Sequence, residues 1–363
     1  MQDQDLLESK SQTELFEKLA RHRCESPFQI RVVVAGSRES LAELAPKESP
    51  FPLRVREVGD FSIGQFNYGS GDLRLQGTLF FCPSPHQHIS YLISVCSGVV
   101  WHRSILRLVT ALYPKLVPVF FSQQELFNLL KQTKSIFPQS ELRITGHSRK
   151  KRLTVGRRKY ESSRTRTEKP LEAVFAEADE QNYWFSSVGF EICRAADDGR
   201  QLRHLFTSAT LSKYGNFFCT SEFDRFFYGT VSKMGEIAEQ KMQFFSNRSR
   251  RLTRAFEPRP ISITYESPEF TSQAATNSFV GVMRKMSGAS CSVLHANPYV
   301  HLSVVDTNDG SAADLWVLQD NEILLVPQLR ASEAALKRFV NYIFEEWREG
   351  SVTSSTSSDG IRP

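Results

Sequence analysis

Between Arg143 and Lys169 the chain carries eleven cations against only Glu161 and Glu168, and no core can take in such a stretch. They are Arg143, Arg149, Lys150, Lys151, Arg152, Arg157, Arg158, Lys159, Arg164, Arg166 and Lys169. Whatever the fold, this segment belongs at its surface. A second run holds Lys241, Arg248, Arg250, Arg251, Arg254 and Arg259 against Glu257. The two runs together carry +14 while the whole chain carries +5, so the remainder is acidic at −9. Charge segregated this strongly makes a local positive field, whose commonest partner is a polyanion.

The rest of the chain is able to pay for a core. With 363 residues, 40% of them apolar and 27 of them Phe, there is room for two or three domains. The six cysteines have no metal-site or redox-motif spacing, and five lie in or beside apolar runs such as Phe217-Phe218-Cys219. They read as buried free thiols of a reducing compartment. Residues 1–11 are polar and acidic, unlike a signal peptide. The longest uncharged apolar window, Ile89 to Trp101, is too short to span a bilayer. A cytoplasmic protein with no membrane partner is expected.

Periodicity and punctuation divide the chain into sections. Ser11-Gln-Thr-Glu14 and Ser122-Gln-Gln-Glu125 read as capping boxes that open helices. Strands are expected at Phe28–Ala35, Leu53–Val58, Leu73–Cys82 and Ile89–Cys96, then helices over Val99–Leu112 and from Ser122 to Lys134. This first section ends near residue 138. The middle section, residues 139–257, reads as strands at Leu142–Thr145, Leu171–Ala176, Trp184–Ile192, Leu202–Thr207 and Tyr214–Cys219, with a hairpin turn at Asp197-Asp198-Gly199. A helix opening at Ser221 places Phe227, Val231, Met234, Ala238, Met242 and Phe245 on one face.

The last section, residues 258–350, reads as a strand at Ile261–Tyr265, a helix at Gln273–Met286 and strands at Cys291–His295 and Tyr299–Asp306. A hairpin of Leu315–Leu318 and Glu322–Val326 and a helix capped by Ser332 follow, with Gly350 expected at C′. Residues 351–363 lack core-forming side chains and read as a disordered tail. The middle and last sections share an order of strands followed by a long amphipathic helix. The whole is an α+β chain of two or three domains, with mixed or antiparallel sheets and packed amphipathic helices.

The first basic run divides in two. Arg143–Val155 has apolar residues on both sides of a charged centre, like a hairpin with a basic tip. Gly156–Lys169 has only Tyr160 as a sizeable apolar residue and reads as an exposed, mobile loop. Cations among Ser, Thr and Tyr suit phosphate contacts, and nothing suggests base readout. In the second run Arg248, Arg250, Arg251 and Arg254 lie at a helix end, where an acidic protein surface suits them as well as phosphate.

No nucleotide-binding loop, dinucleotide fingerprint, nucleophile elbow or zinc-protease motif occurs, so no catalytic residue is assigned. His86 and His88 fall in a proline-bounded loop, and Glu239-Gln-Lys241 has a nuclease spacing on a helix, where that motif does not belong. Asp306-Thr-Asn-Asp309-Gly310 reads as a strand-joining turn. No metal or cofactor is expected. The leading expectation is a non-catalytic component that binds DNA or RNA through phosphates, sequence-independently, alone or within a multi-subunit assembly. The alternatives are a metal-dependent nuclease and an assembly subunit that meets an acidic protein partner or its own copy.

Overall fold

The computed structural model describes residues 2–71, 74–152, 160–194, 204–250, 258–297 and 299–354. They form an α+β protein with two antiparallel sheets, and fall into two compact units divided in the chain at Glu239/Gln240.

The first unit opens with α1 (Gln2–Leu7), α2 (Gln12–Arg21), β1 (Phe28–Ser37) and α3 (Leu41–Glu48). Ser11 Oγ accepts the Glu14 N–H at 3.2 Å, so the first capping signal works from its serine side. A meander follows: β2 (Leu53–Val58), β3 (Phe61–Tyr68), β4 (Leu75–Pro83) and β5 (Ile89–Ser97). The helix over 98–111 consists of α4 (Gly98–Val100), a π-helical turn (Trp101–Ile105) and α5 (Leu106–Ala111). Then come β6 (Leu116–Pro118) and α6 (Gln123–Ile136), which has the full capping box at Ser122 and Glu125.

The second half of this unit holds β7 (Ser140–Arg152), β8 (Tyr160–Pro170), α7 (Leu171–Glu180), β9 (Tyr183–Arg194), β10 (His204–Ser212) and β11 (Asn216–Cys219). The helix over 223–246 follows: α8 (Phe223–Phe226), a second π-helical turn (Phe227–Val231) and α9 (Ser232–Ser246), of which the first unit takes the residues up to Glu239. Each π turn frees a carbonyl that a side chain satisfies. Tyr68 Oη donates to Arg103 O at 2.9 Å, and Gln132 Nε2 donates to Gly229 O at 3.0 Å.

All these strands join one sheet, in the order β2-β3-β4-β5-β1-β11-β10-β9-β7-β8 with β6 beside β1. The boundary expected near residue 138 falls inside it, because β1 pairs with both β5 and β11. Alternation along β1 sends Val33 and Ala35 to one face, where Leu92, Trp101, Ile105 and Leu108 pack with Leu41 and Leu44. The opposite face carries Tyr91 and Phe217, which meet Phe227 and Phe226 at ring-centroid distances of 5.1 and 5.2 Å.

The segment expected as a strand at Leu171–Ala176 is helix α7. Leu171, Val174, Phe175 and Ala178 are buried at helical spacing, which a short apolar run leaves open from sequence. The turn expected at residues 197–199 lies outside the described residues, but β9 and β10 on either side of it do pair antiparallel.

The second unit contains β12 (Ile261–Thr264), α10 (Gln273–Met283), β13 (Ala289–His295), β14 (Val300–Asp306), β15 (Ala312–Gln319), β16 (Glu322–Pro327), α11 (Glu333–Glu346) and β17 (Ser351–Ser354). Its sheet order is β13-β14-β15-β16-β12-β17. The connectivity strand, helix, four-strand meander, helix, with the last meander strand paired to the first strand, therefore occurs at β1–α5 and again at β12–α11. The shared order is between the first and last sections, not the middle and last. Sequence shows only element types, and the pairing of distant strands decides this.

Two expectations for the end of the chain change. Residues 351–354 form strand β17 on β12 instead of starting a disordered tail, and residues 355–363 lie outside the described residues. Gly350 is not a left-handed C′ residue. Helix α11 is capped at Trp347, and a Cβ on Gly350 would stand 2.8 Å from Thr264 O. Glycine is there for close approach to β12. The described cysteines form no disulfides; Cys82, Cys96, Cys193 and Cys219 are buried. No helix among the described residues is long and apolar enough to cross a membrane.

Candidate nucleic-acid interface

The first basic run becomes the β7–β8 hairpin, with β8 at the free edge of the large sheet. Residues 160–169, expected as a mobile loop, are this edge strand. Ser163, Thr165 and Thr167 turn half-buried to one face while Arg164, Arg166 and Glu168 stand exposed on the other. An edge strand needs no apolar side chains when hydroxyls fill its inner face, and charges on its outer face deter further pairing. Arg157, Arg158 and Lys159, between β7 and β8 in the sequence, lie outside the described residues.

The hairpin sorts its cations by partner. Arg143 Nε lies 3.0 Å from Glu141 Oε2, and Lys169 Nζ lies 2.6 Å from Glu177 Oε2. Arg149 turns to the helix-covered face, stacked 4.3 Å from the Tyr183 ring centroid with Nε donating to Ser163 Oγ. Burial, with Arg149 adding to it, holds the nearby His147 imidazole below its usual pKa. Lys150 is half-buried. Lys151 and Arg152 are placed by their backbone at the end of β7. Arg164 and Arg166 form no ion pair among the described residues and are exposed.

The face that carries those two arginines changes character across the sheet. One row of cross-strand neighbours runs Arg166, Gly146, Gly189, Thr210, Phe218, Arg31. At the usual strand spacing it extends roughly 24 Å. Phe218 meets Trp101 edge-on at 5.6 Å and marks the limit of the apolar cover. Beyond it, towards β8, the row carries glycine and hydroxyl positions, with Ser148, Ser187 and Ser208 on the same face by register and Thr145 Oγ1 3.7 Å from where a Cβ on Gly189 would stand. Small polar residues leave the sheet backbone accessible to a ligand, and hydroxyls can donate to phosphate oxygens.

The second basic run belongs to the second unit. Arg248 stacks 3.5 Å from the Phe244 centroid and donates to Phe244 O, and Arg250 donates to Pro327 O at 3.1 Å. Arg250 and Arg330 line an open cavity of about 440 Å³ that also contains Asp314. Arg251 and Arg254 lie outside the described residues.

The candidate enzyme motifs have structural employment. Glu239, on α9, accepts the Gln87 N–H at 2.9 Å and lies 3.2 Å from His86 Nδ1, closing the histidine loop. Asp306 is fully buried against Arg338, and Asp309 accepts the Ser311 N–H within the turn. Among the described residues, no three His, Cys, Asp or Glu side chains are grouped to hold a metal ion.

Sequence reasoning passed over Arg31. It is a charged residue inside the apolar run of β1, and that isolation was the available signal. Its side chain is 6% exposed. No model of a protein family matches this chain, and no curated protein matches it.

Proposed function

We propose that the protein binds nucleic acid through the phosphate backbone, without reading sequence, as a non-catalytic component of a larger assembly. The observation that carries this reading is the edge strand β8. Its Arg164 and Arg166 alternate on an exposed face, have no ion-pair partner among the described residues, and adjoin a row of glycine and hydroxyl side chains. Cations without internal partners gain most from an external anion, and released counterions supply the affinity. The test is purification at low salt, with absorbance ratio and nucleotide content measured before and after nuclease treatment. Co-purifying nucleic acid supports the reading; Mg²⁺-dependent cleavage abolished by a carboxylate substitution would replace it with a nuclease.

A protein partner is the second reading, and one feature of the second unit favours it. The outer face of its sheet carries Trp316 stacked on His301 at 3.5 Å, Tyr299 37% exposed and Val305 36% exposed. Exposed aromatic and apolar side chains gathered on one side of a sheet mark interaction surfaces. A stoichiometric protein co-purifying without nucleic acid would favour this reading over the first.

A further inference from the structure

The six-stranded sheet of the second unit ends at β13, and this edge is built unlike the others. An unpaired strand edge is a template for further pairing, and folds blunt it with charge, proline or shortness. Strand β8 carries Arg164, Arg166, Glu168 and Lys169, β2 carries Arg54, Arg56 and Glu57, and β17 is four residues long. Strand β13 has no Lys, Arg, Asp, Glu or Pro from Ala289 to His295. Instead it exposes Val293 at 37% and Leu294 at 57%. Val293 pairs with Leu302 and Cys291 with Val304, and both β14 residues are fully buried. The core therefore stops one strand short of the edge.

Hydrogen-bond alternation fixes which backbone groups of β13 face outward. Thr307 N–H donates to Gly288 O at 3.0 Å, while Asp306 N–H turns the other way, to Ser311 O at 2.8 Å. In an antiparallel ladder this pattern repeats every second residue, so Ser290 and Ser292 turn their backbone groups to β14. The N–H and C=O of Cys291 and Val293 then face away from the sheet. A register shift between Val293 and His295 ends the ladder, which keeps the open segment short.

We propose that β13 pairs with β13 of a second copy of this chain, antiparallel about a two-fold axis at Ser292, so that two six-stranded sheets become one. This rests on the protein-partner reading for the sheet concerned, and it makes that partner a second copy. The axis sets Cys291 opposite Val293 of the other copy, and each such pair exchanges both of its outward backbone groups. Charge selects the occupant. An acidic or basic partner finds no countercharge along Ala289–Leu294, whereas a second copy meets no like charge there. An isologous interface needs a patch complementary to itself, and one neutral strand paired antiparallel with its copy meets that need. Pairing also covers the exposed Val293 on the inner face and brings Ser292 against its own copy on the outer face. So short a segment makes a dimer that depends on concentration.

The experiment is sedimentation velocity of the full chain, nuclease-treated and in high salt, over roughly a hundredfold range of concentration. The parent should pass from monomer to dimer. Ser292 is exposed, so Ser292→Lys and Ser292→Glu test the axis without entering the core. Each variant alone places like charges face to face and should weaken self-association by about tenfold or more. An equimolar mixture of the two should recover a dimer with one chain of each kind. Circular dichroism confirms that both variants are folded. A parent that stays monomeric throughout, or single variants that dimerise as the parent does, overturns the pairing. Loss without recovery in the mixture overturns it as well, because only a two-fold at Ser292 brings the two charges together. A monomeric parent that holds a different protein in fixed stoichiometry sinks the second copy and keeps the protein-partner reading.

Discussion

Arg338 Nη1 donates to Asp306 Oδ2 at 2.7 Å, and the Asp306 carboxylate is fully buried. The pair ties helix α11 to the end of strand β14, and Arg338 Nη1 also donates to Gly288 O at 3.1 Å. Removing Arg338 takes the guanidinium from a buried carboxylate that also accepts the Asn308 N–H and Nδ2 at 2.8 and 2.9 Å, and breaking a buried pair costs more than the pair contributes. Arg338→Ala should therefore destabilise the second unit by about 3 kcal/mol, read by thermal unfolding beside the parent. Unchanged melting would mean that Asp306 reaches water or another donor.

Lys337 gives the second unit a pH signature. It is 2% exposed, and its pKa falls to about 7 because of burial first and Lys241 second, with Glu333 opposing. The unfolded chain keeps the proton up to the ordinary value near 10.5. Between about pH 7 and that value the unfolded state binds more protons, so stability rises with pH by up to about 1.4 kcal/mol per unit. Below the folded pKa both states are protonated and the contribution is flat. Lys337→Met should remove this slope and be more stable than the parent at pH 6 to 7, by chemical denaturation. Parallel profiles for parent and variant would show that the amine is hydrated.

The last helix and the last strand should differ in weight. Phe339 is fully buried on α11, and truncation to Ala should cost about 3–5 kcal/mol. Ending the chain at Gly350 removes β17, whose residues pair with β12 and whose Val352 is half-buried. That truncation should cost about 1–2 kcal/mol, a few net hydrogen bonds. Thermal unfolding of both variants ranks them, and a larger loss on truncation would reverse the assignment of the core.

Local pattern was legible and pairing was not. The serine caps at Ser11, Ser122 and Ser332, and the buried stripe from Phe227 to Phe245, follow from spacing of residues close in sequence. Strand β3 escaped notice because Gly64, Gln65 and Asn67 dilute its apolar residues, and α3 because Pro46 interrupts it. The β1–β11 pairing joins residues near 30 to residues near 218, and no local signal encodes it. At the candidate interface, charge density identified the hairpin but not its order, because β8 is held by backbone ladder and hydroxyl packing, without apolar alternation.

The measurement that bears most directly on polyanion binding is the salt dependence of oligonucleotide affinity, for the parent and for Arg164→Gln with Arg166→Gln. The logarithm of affinity should fall linearly with the logarithm of salt for any sequence of one length. The double variant should lower the steepness of that line by about 2 for duplex DNA, since each phosphate contact contributes about 0.9. Circular dichroism confirms that the variant is folded. A parent whose affinity ignores salt, or a folded double variant with the parent's slope, would contradict the assignment of β8 as the phosphate-binding edge.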